Sequence, residues 1–191
     1  MVWVGVPVEK LELYFVCDAD LAGDINDFKS TSGGLLVLVG PHTWSPLSAM
    51  SKKQTAVSLS SVEAELASLV YGMQNEAIPM LQLWSALLGR EVKLVIWEDN
   101  ESTIKIIKKG RSPKLGHFRR THRIYWHWLS DLINTDPNIS LQYIKSELQA
   151  ADIFTKAITD RVVWNRACTN FGLCKGNPIR NDATKIIGIE T

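Results

Sequence analysis

A short apolar run that ends in a carboxylate and leads into a helix constrains the fold of this chain most strongly. Residues Val92–Trp97 are rich in β-branched side chains and short enough for a buried strand. Asp99 follows them, and Asn100 can cap a helix whose apolar face begins at Ile104. Open α/β sheets place ligands and chemistry at the carboxyl ends of their strands, so Asp99 is a candidate site residue. Taken alone, an aspartate directly before a helix is more often an ordinary turn or cap residue.

Length and composition indicate one globular domain. The chain has 191 residues, of which 46% are hydrophobic and 21% charged, which describes a folded protein rather than a disordered one. Three cysteines without metal-type spacing indicate reduced thiols and an intracellular setting. The apolar start is too short for a signal peptide, and no run reaches the roughly 18 apolar residues of a membrane span, so no membrane partner is expected.

The chain alternates strand and helix patterns in the order β-β-β-α-β-α-α-β-α, which predicts an α/β (α+β) sheet with helices on its faces. Three strands with short connections suggest an antiparallel meander, and Pro46 makes the third an edge strand. We expect Lys52–Gln54 to form a loop. A long helix follows, which Pro79 should kink or split near Ile78 and which Gly89 can end. The remaining predicted elements are a helix from about Thr121 to Ile133, a strand over Ile139–Ile144, and a helix from Leu148 to about Ile158.

Other carboxylates stand where they could meet Asp99. Asp18 and Asp20 end the first strand and share a face if that strand continues, although an acidic turn explains them as well. In the long helix, Ser60 and Glu63 fit a capping box, which gives Glu63 a structural role and leaves Glu65 for chemistry.

Asp152 is the last acidic candidate. The sequence Ser146-Glu-Leu-Gln149 is a possible capping box that would place Asp152 past the first turn of a helix. Asp152 is then either a solvated helix carboxylate or a fourth inward-facing ligand. Four carboxylates without thiolates suit hard divalent cations such as Mg²⁺, and two such ions roughly 4 Å apart can promote hydrolysis of a phosphodiester.

A basic segment, which we define as residues 105–123, suggests a polyanionic partner. It contains eight cationic residues and no acidic one, in a chain whose net charge is only +1. A solvated helix face is the alternative to phosphate binding. The spacing of His117, His122 and His127 fits no common zinc site, so hydrogen-bonding or substrate-side roles are favoured. The eight residues are Lys105, Lys108, Lys109, Arg111, Lys114, Arg119, Arg120 and Arg123.

Six short motifs in order resemble the ribonuclease H domain of copia-type LTR-retrotransposon polyproteins over roughly Leu11 to Cys174. The resemblance implies a ribonuclease H-like fold with a mixed five-stranded sheet whose first three strands are antiparallel. It also implies that the four catalytic, metal-binding carboxylates are Asp18, Glu65, Asp99 and Asp152. The motifs are Asp18-Ala-Asp-Leu-Ala-Gly-Asp24, Lys29-Ser-Thr-Ser-Gly33, Ser51-Lys-Lys-Gln54, Leu59-Ser-Ser-Val-Glu-Ala-Glu65, Asp99-Asn100 and Ala151-Asp-Ile-Phe-Thr-Lys156.

The family resemblance implies an endoribonuclease that uses two Mg²⁺ ions, or Mn²⁺ in their place, to hydrolyse the RNA strand of RNA/DNA hybrids during reverse transcription. Its implied partners are the hybrid and the reverse-transcriptase and integrase parts of a parent polyprotein, in a cytoplasmic virus-like particle or the nucleus. Departures from the family pattern, including Leu21 and Pro79, keep open a catalytically silent nucleic-acid-binding or interaction protein of the same fold. We expect residues 1–174 to form the domain and 175–191 a poorly ordered tail.

Overall fold

The computed structural model describes residues 7–41 and 43–173, which contain a mixed five-stranded sheet. The strand order is β3-β2-β1-β4-β5, with antiparallel pairing among β1, β2 and β3 and parallel pairing of β1 with β4 and of β4 with β5. This topology confirms the predicted sheet. The strands are β1 Glu12–Asp20, β2 Thr31–Gly40, β3 Thr43–Lys53, β4 Leu94–Glu98 and β5 Ile139–Tyr143.

Helices cover both faces of this sheet. One face packs against α1, with α3 and α5 beside it, and the other face packs against α6 and α7. The helices are α1 Ser61–Gly72, α2 Ile78–Leu88, α3 Glu101–Lys109, α4 Phe118–Thr121, α5 His127–Thr135, α6 Asp152–Thr155 and α7 Arg161–Phe171.

The alternation of side chains along β1 builds two separate cores. Phe15 is fully buried on the side of α1, where it packs with Leu66 and Leu69. Val16 points to the opposite side and packs in a second cluster that Phe154 and Phe171 border. Because consecutive strand residues face opposite sides of a sheet, a continuously apolar β1 must be covered on both faces.

The edge strand β3 tolerates its proline through a bulge. Pro46 pairs with Val37, and the register shifts between Leu36 and Val37. A proline without an N–H can stand there because an edge strand need not donate on its outer side. The predicted loop at Lys52–Gln54 is wrong for Lys52 and Lys53, since β3 continues through both residues opposite the start of β2.

A widened turn accommodates Pro79 within the long helical stretch. Residues Met73–Ala77 form a π-helical turn in which the Ile78 amide donates to the Met73 carbonyl, and α2 begins at Ile78. Pro79 offers no N–H to the carbonyl four residues back and its ring crowds that carbonyl, so the ladder shifts by one residue. The proline was predicted to kink or split the helix near Ile78. The structure has a π-helical turn directly before that residue, and the chain stays helical from Ser61 to Leu88. Gly89 ends α2 with a left-handed φ of 63°.

Two other helix predictions are wrong in extent. Instead of one helix from about Thr121, the chain forms α4, a break at Arg123 with a φ of 56°, and then α5 from His127. The helix predicted from Leu148 to about Ile158 is a 3₁₀ turn at Ser146–Leu148 followed by the four-residue α6. The predicted tail at 175–191 lies outside the described residues.

Across residues 7–41 and 43–173, no helix has both the length and the apolar character that a bilayer-spanning segment requires.

Close packing between α1 and β1 yields a stability prediction. A Cβ at Gly72 would overlap Cζ of Phe15 and lie 2.8 Å from its Cε1. Alanine is the better helix former by about 1 kcal/mol, but overpacking a core costs about 1–3 kcal/mol. We therefore expect Gly72→Ala to lower the free energy of unfolding, measured by urea denaturation.

The matched control is Gly116→Ala, where the added Cβ would lie 3.4 Å from the Pro113 carbonyl oxygen, an ordinary contact. We expect this substitution to change the free energy of unfolding by less than about 0.5 kcal/mol. Equal effects of the two substitutions would contradict the packing described here.

Candidate active site

Three of the sequence-predicted carboxylates meet at one edge of the sheet. Asp18 lies in β1, Asp99 follows β4, and Glu65 projects from α1; one oxygen of each lies within 4.8 Å of the others. They line an open, polar cleft that Lys156 also borders. Asp20 is the last residue of β1 and does not belong to this group.

The parallel pairing of β1 with β4 places the two aspartates side by side. The register aligns Val16 with Trp97, so the next residues of both strands lead to adjacent positions for Asp18 and Asp99. Asn100 then caps α3, since its side-chain oxygen accepts hydrogen bonds from the amides of Ser102 and Thr103. This confirms the predicted cap and turns the chain away from the sheet directly after Asp99.

Helix α1 presents Glu65, not Glu63, to the cluster. The Ser60 hydroxyl oxygen accepts from the Glu63 amide at 3.3 Å, and the Glu63 carboxylate accepts from the Leu59 amide at 2.9 Å. The predicted cap is therefore present, with the carboxylate reaching Leu59 instead of Ser60. Ser68 fixes the helix on the sheet because its hydroxyl donates to the Asp18 carbonyl at 2.9 Å.

The buried side-chain amides of two glutamines form hydrogen bonds between elements at this edge of the sheet. The Gln54 side chain donates to the Ser32 hydroxyl at 3.0 Å and to the Ala64 carbonyl at 2.9 Å, and so joins β3, β2 and α1. Gln149 donates to the Cys17 carbonyl at 2.8 Å, next to Asp18. The sequence predicts Gln54 in a loop and Gln149 in a capping box, and it indicates neither of these buried hydrogen bonds.

Asp152 lies next to the cluster but is joined to it through a lysine. The Lys156 ammonium donates to Asp152 Oδ1 at 2.6 Å and to Asp18 Oδ1 at 3.3 Å. The Thr155 hydroxyl donates to the other oxygen of Asp18. The fourth predicted ligand is thus outside the group of three whose oxygens converge.

The predicted capping box at Ser146–Gln149 does not form. The Ser146 hydroxyl instead donates to Asp99 Oδ2 at 2.8 Å, and the Gln149 side-chain oxygen accepts from the Ala151 amide at 3.3 Å. Gln149 has an extended backbone, which interrupts the helix expected there and makes Asp152 the first residue of α6.

Burial and the charges of neighbouring carboxylates favour the protonated forms of Glu65 and Asp18. Burial, together with the charges of Glu98, Asp18 and Asp99, raises the pKa of Glu65. Burial also raises the pKa of Asp18, against the opposing effects of Lys156 and Thr155. The Lys156 pKa is held above its usual value because the charges of Asp18 and Asp152 outweigh the lowering effect of burial.

The residues present fit a divalent cation. All three converging groups are carboxylates, the donors that Mg²⁺ and Mn²⁺ prefer. Glu65 Oε2 is buried and has no hydrogen-bond partner among the described residues. Burying a carboxylate oxygen without a partner costs free energy unless a cation or a proton compensates its charge. A bound cation would provide this compensation at Glu65.

Glu98 is a buried carboxyl group that sequence reasoning missed. It is fully buried beneath the cluster, where it accepts from the Cys17 thiol at 3.2 Å and from the Asn100 amide at 3.0 Å. Burial raises its pKa, and the charges of Asp99 and Asp18 act in the same direction. Its position in the sequence, at the end of an apolar strand and directly before Asp99, could have indicated that it is buried.

The basic segment lies on the surface beyond the cluster, from α3 through α4. All eight of its cationic side chains are exposed. Glu63 joins this segment to α1, with one carboxylate oxygen 3.0 Å from His117 Nε2 and the other 3.8 Å from His122 Nε2. His127 has no contact with Glu63 among the ion pairs of the described chain, so two of the three histidines share one carboxylate.

Comparisons with known proteins agree with this architecture. The Pol polyprotein of transposon TNT 1-94 from Nicotiana tabacum is 30% identical over 143 residues, which cover 74% of this chain and 10% of that protein. The Pol polyprotein of transposon RE2 from Arabidopsis thaliana is 29% identical over 88% of this chain and 11% of its own length. The chain therefore spans about a tenth of these relatives. No model of a protein family matches it.

Among solved structures, LC11-RNase H1, isolated from compost by a metagenomic approach, superimposes with a TM-score of 0.51 and 16% identity, covering 75% of this chain and 92% of that one. At this identity the likeness concerns the fold alone, and the relationship in sequence rests on the Pol polyproteins. The chain therefore belongs in sequence with the Pol polyproteins of copia-type retrotransposons and in fold with the ribonuclease H domains.

Proposed function

We propose that this domain hydrolyses the RNA strand of RNA/DNA hybrids in a reaction that depends on divalent cations. The observation that carries the proposal is the convergence of Asp18, Glu65 and Asp99 within 4.8 Å at an open cleft. Carboxylates from two adjacent strand ends and one helix, on a ribonuclease H fold, are suited to a phosphodiester that lies across the edge of the sheet.

The four carboxylates would hold the cations, with Asp152 completing the set. Two Mg²⁺ ions, or Mn²⁺ in their place, would supply an activated water and neutralise the leaving 3′-oxygen. The chain's own hydroxyl groups orient the ligands: Ser146 holds Oδ2 of Asp99, and Thr155 holds Oδ2 of Asp18. Fixing Oδ2 of Asp99 leaves its other oxygen for a cation. The second oxygen of Asp18, Oδ1, contacts the Lys156 ammonium at 3.3 Å.

The basic segment would bind the phosphate backbone of the hybrid. Within the described chain, Lys105 is the one lysine or arginine of this segment that pairs with a carboxylate, that of Glu101 at 2.7 Å. The other seven cations are exposed and available for phosphates. A hybrid differs from duplex DNA by the 2′-hydroxyl groups in its shallow minor groove, which would provide the selectivity.

In the relatives, the matching segment is part of a chain about ten times longer. We therefore infer that this domain acts beside reverse-transcriptase and integrase parts of a parent polyprotein. The competing function is a catalytically silent nucleic-acid-binding protein of the same fold. One observation favours it: Lys156 already compensates Asp152 and Asp18.

Loss of one proposed ligand tests the nuclease. Asp99→Asn should lower the cleavage rate of an end-labelled RNA/DNA hybrid in Mg²⁺ or Mn²⁺ by about 100-fold or more, since a lost cation contact costs several kcal/mol in the transition state. Asp131→Asn, at an exposed site on α5, is the control and should cleave normally. Duplex DNA and duplex RNA should stay intact. A folded Asp99→Asn protein with full activity would refute the assignment.

The raised pKa of Glu65 predicts a pH-dependent stability difference. A carboxyl group whose pKa is raised on folding stabilises the fold fully below its unfolded pKa of about 4.3, and this contribution is lost as the pH rises toward the folded pKa. In EDTA at pH 8, Glu65→Gln should therefore be more stable to urea than the unaltered protein, by about 1 kcal/mol or more. The difference should vanish near pH 4.

Divalent cations should make the unaltered protein more stable to urea than Glu65→Gln, the reverse of the order in EDTA. At about 100 times the dissociation constant, Mg²⁺ should stabilise the unaltered protein by about 2.7 kcal/mol and Glu65→Gln by much less. Glu147→Gln, at an exposed carboxylate, should resemble the unaltered protein throughout. A Glu65→Gln protein that is destabilised equally at pH 4 and pH 8 would argue against a strained carboxylate cluster.

The salt dependence of hybrid binding tests the basic segment. Replacing Arg119 and Arg120 by Gln should reduce the slope of log affinity against log salt by about 2, because each phosphate contact contributes about 0.9. Arg161→Gln with Arg166→Gln, two exposed positions on α7, is the matched control and should leave the slope unchanged. Equal slopes for both double variants would place the nucleic acid elsewhere.

A further inference from the structure

The Lys156 ammonium bridges two carboxylates in the way that a metal ion would. Its ammonium lies 2.6 Å from Asp152 Oδ1 and 3.3 Å from Asp18 Oδ1, two groups on different elements. Asp18 is almost fully buried, while the lysine side chain is 42% exposed and borders the open cleft. The bridge therefore joins a buried carboxylate of the cluster to the one predicted ligand that lies outside it.

Close packing of α6 against β2 fixes the position of Asp152 relative to the sheet. A Cβ at Gly33 would lie 2.5 Å from Thr155 Cγ2 and 3.2 Å from the Ala151 carbonyl oxygen, so α6 rests directly on β2. Lys156 ends α6 with an extended backbone, φ −113° and ψ 140°, and its side chain turns back to Asp152. The positions of both carboxylates are fixed by the sheet and α6, whereas the lysine side chain itself is long and flexible.

The proposed metal centre has two sides, and their negative charge is compensated to different extents. Asp18, Glu65 and Asp99 form one side, where Glu65 Oε2 has no partner within the described part of the chain. On the other side, the ammonium lies closer to Asp152, at 2.6 Å, than to Asp18, at 3.3 Å, so it compensates Asp152 more strongly than the cluster. A divalent cation that approaches Asp152 meets a positive charge at close range, and that repulsion weakens its binding unless the lysine leaves.

We propose, building on the function proposed above, that Lys156 is an internal counter-ion that makes the two cation-binding steps unequal. The first cation binds to Asp18, Glu65 and Asp99. The second binds at Asp152 only when the Lys156 ammonium swings out to the solvent-exposed cleft. Lys156 is in this sense a positioning residue that sets the cation concentration at which the full centre assembles.

Mn²⁺ titration of the intact protein tests this role, with isothermal calorimetry and the electron paramagnetic resonance signal of unbound Mn²⁺ as readouts. The unaltered protein should bind one ion tightly and a second weakly. Lys156→Met keeps the length of the side chain without its charge, and the second affinity should rise by about tenfold or more, or 1.4 kcal/mol. Lys156→Arg retains the charge and should keep the weak second step.

Stability without metal provides an independent readout. In EDTA, Lys156→Met should melt at a lower temperature than the unaltered protein, because Asp18 and Asp152 then lack a counter-ion, and Mn²⁺ should restore the loss. The matched control is Lys10→Met, an exposed lysine before the opposite end of β1. It should change neither Mn²⁺ binding nor the melting temperature.

Equal Mn²⁺ stoichiometry and affinities in Lys156→Met and the unaltered protein would overturn the counter-ion role. Hybrid cleavage by the unaltered protein in the same samples would show that the nuclease proposal survives that failure. Conversely, two unequal binding steps that become equal in Lys156→Met, without cleavage under saturating Mn²⁺, would support the counter-ion role and refute the nuclease. Absence of Mn²⁺ binding in all variants would overturn both proposals.

Discussion

The parallel pairing of β1 with β4 is the constraint on which the rest of this structure depends. It brings the carboxyl ends of two neighbouring strands together and sets Asp18 beside Asp99. Repulsion between these groups, Glu65 and the buried Glu98 opposes the arrangement, as the raised pKa values of Asp18, Glu65 and Glu98 indicate. Apolar packing on both faces of the sheet must therefore supply the free energy that keeps the carboxylates close.

The short motifs that relate this chain to retrotransposon polyproteins also stabilise the fold around the site, in addition to providing the carboxylates. Gln54 joins three elements behind the cluster, and Ser68 fixes α1 to the ends of β1 and β2. Gly33 permits the close approach of α6 that brings Asp152 and Lys156 to Asp18. The same few residues that resemble the family thus also determine the relative positions of the strands and helices around the site.

The residue pattern was sufficient for the antiparallel meander of β1 to β3, the edge position of β3, the cap at Asn100 and the preference for Glu65 over Glu63. The mixed five-stranded sheet was implied by the family motifs. Periodicity and capping chemistry are local, and they survive in the folded protein. The sequence was insufficient for the region after β5. Gln149 has an extended backbone there instead of the predicted helix, and its side chain donates to the Cys17 carbonyl, 132 residues away along the chain. The burial of Glu98 and the bridge through Lys156 likewise depend on packing between distant segments.

The spacing of Glu63 and Glu65 on α1 has a mechanical consequence. Glu63 contacts His117 and His122 of the basic segment, and Glu65 faces the carboxylate cluster. Two residues of one helix are separated by only about 3 Å along its axis, and a helical turn is stiff. A movement of His117 and His122 that shifted Glu63 would therefore also shift the start of α1 and the position of Glu65 in the cluster.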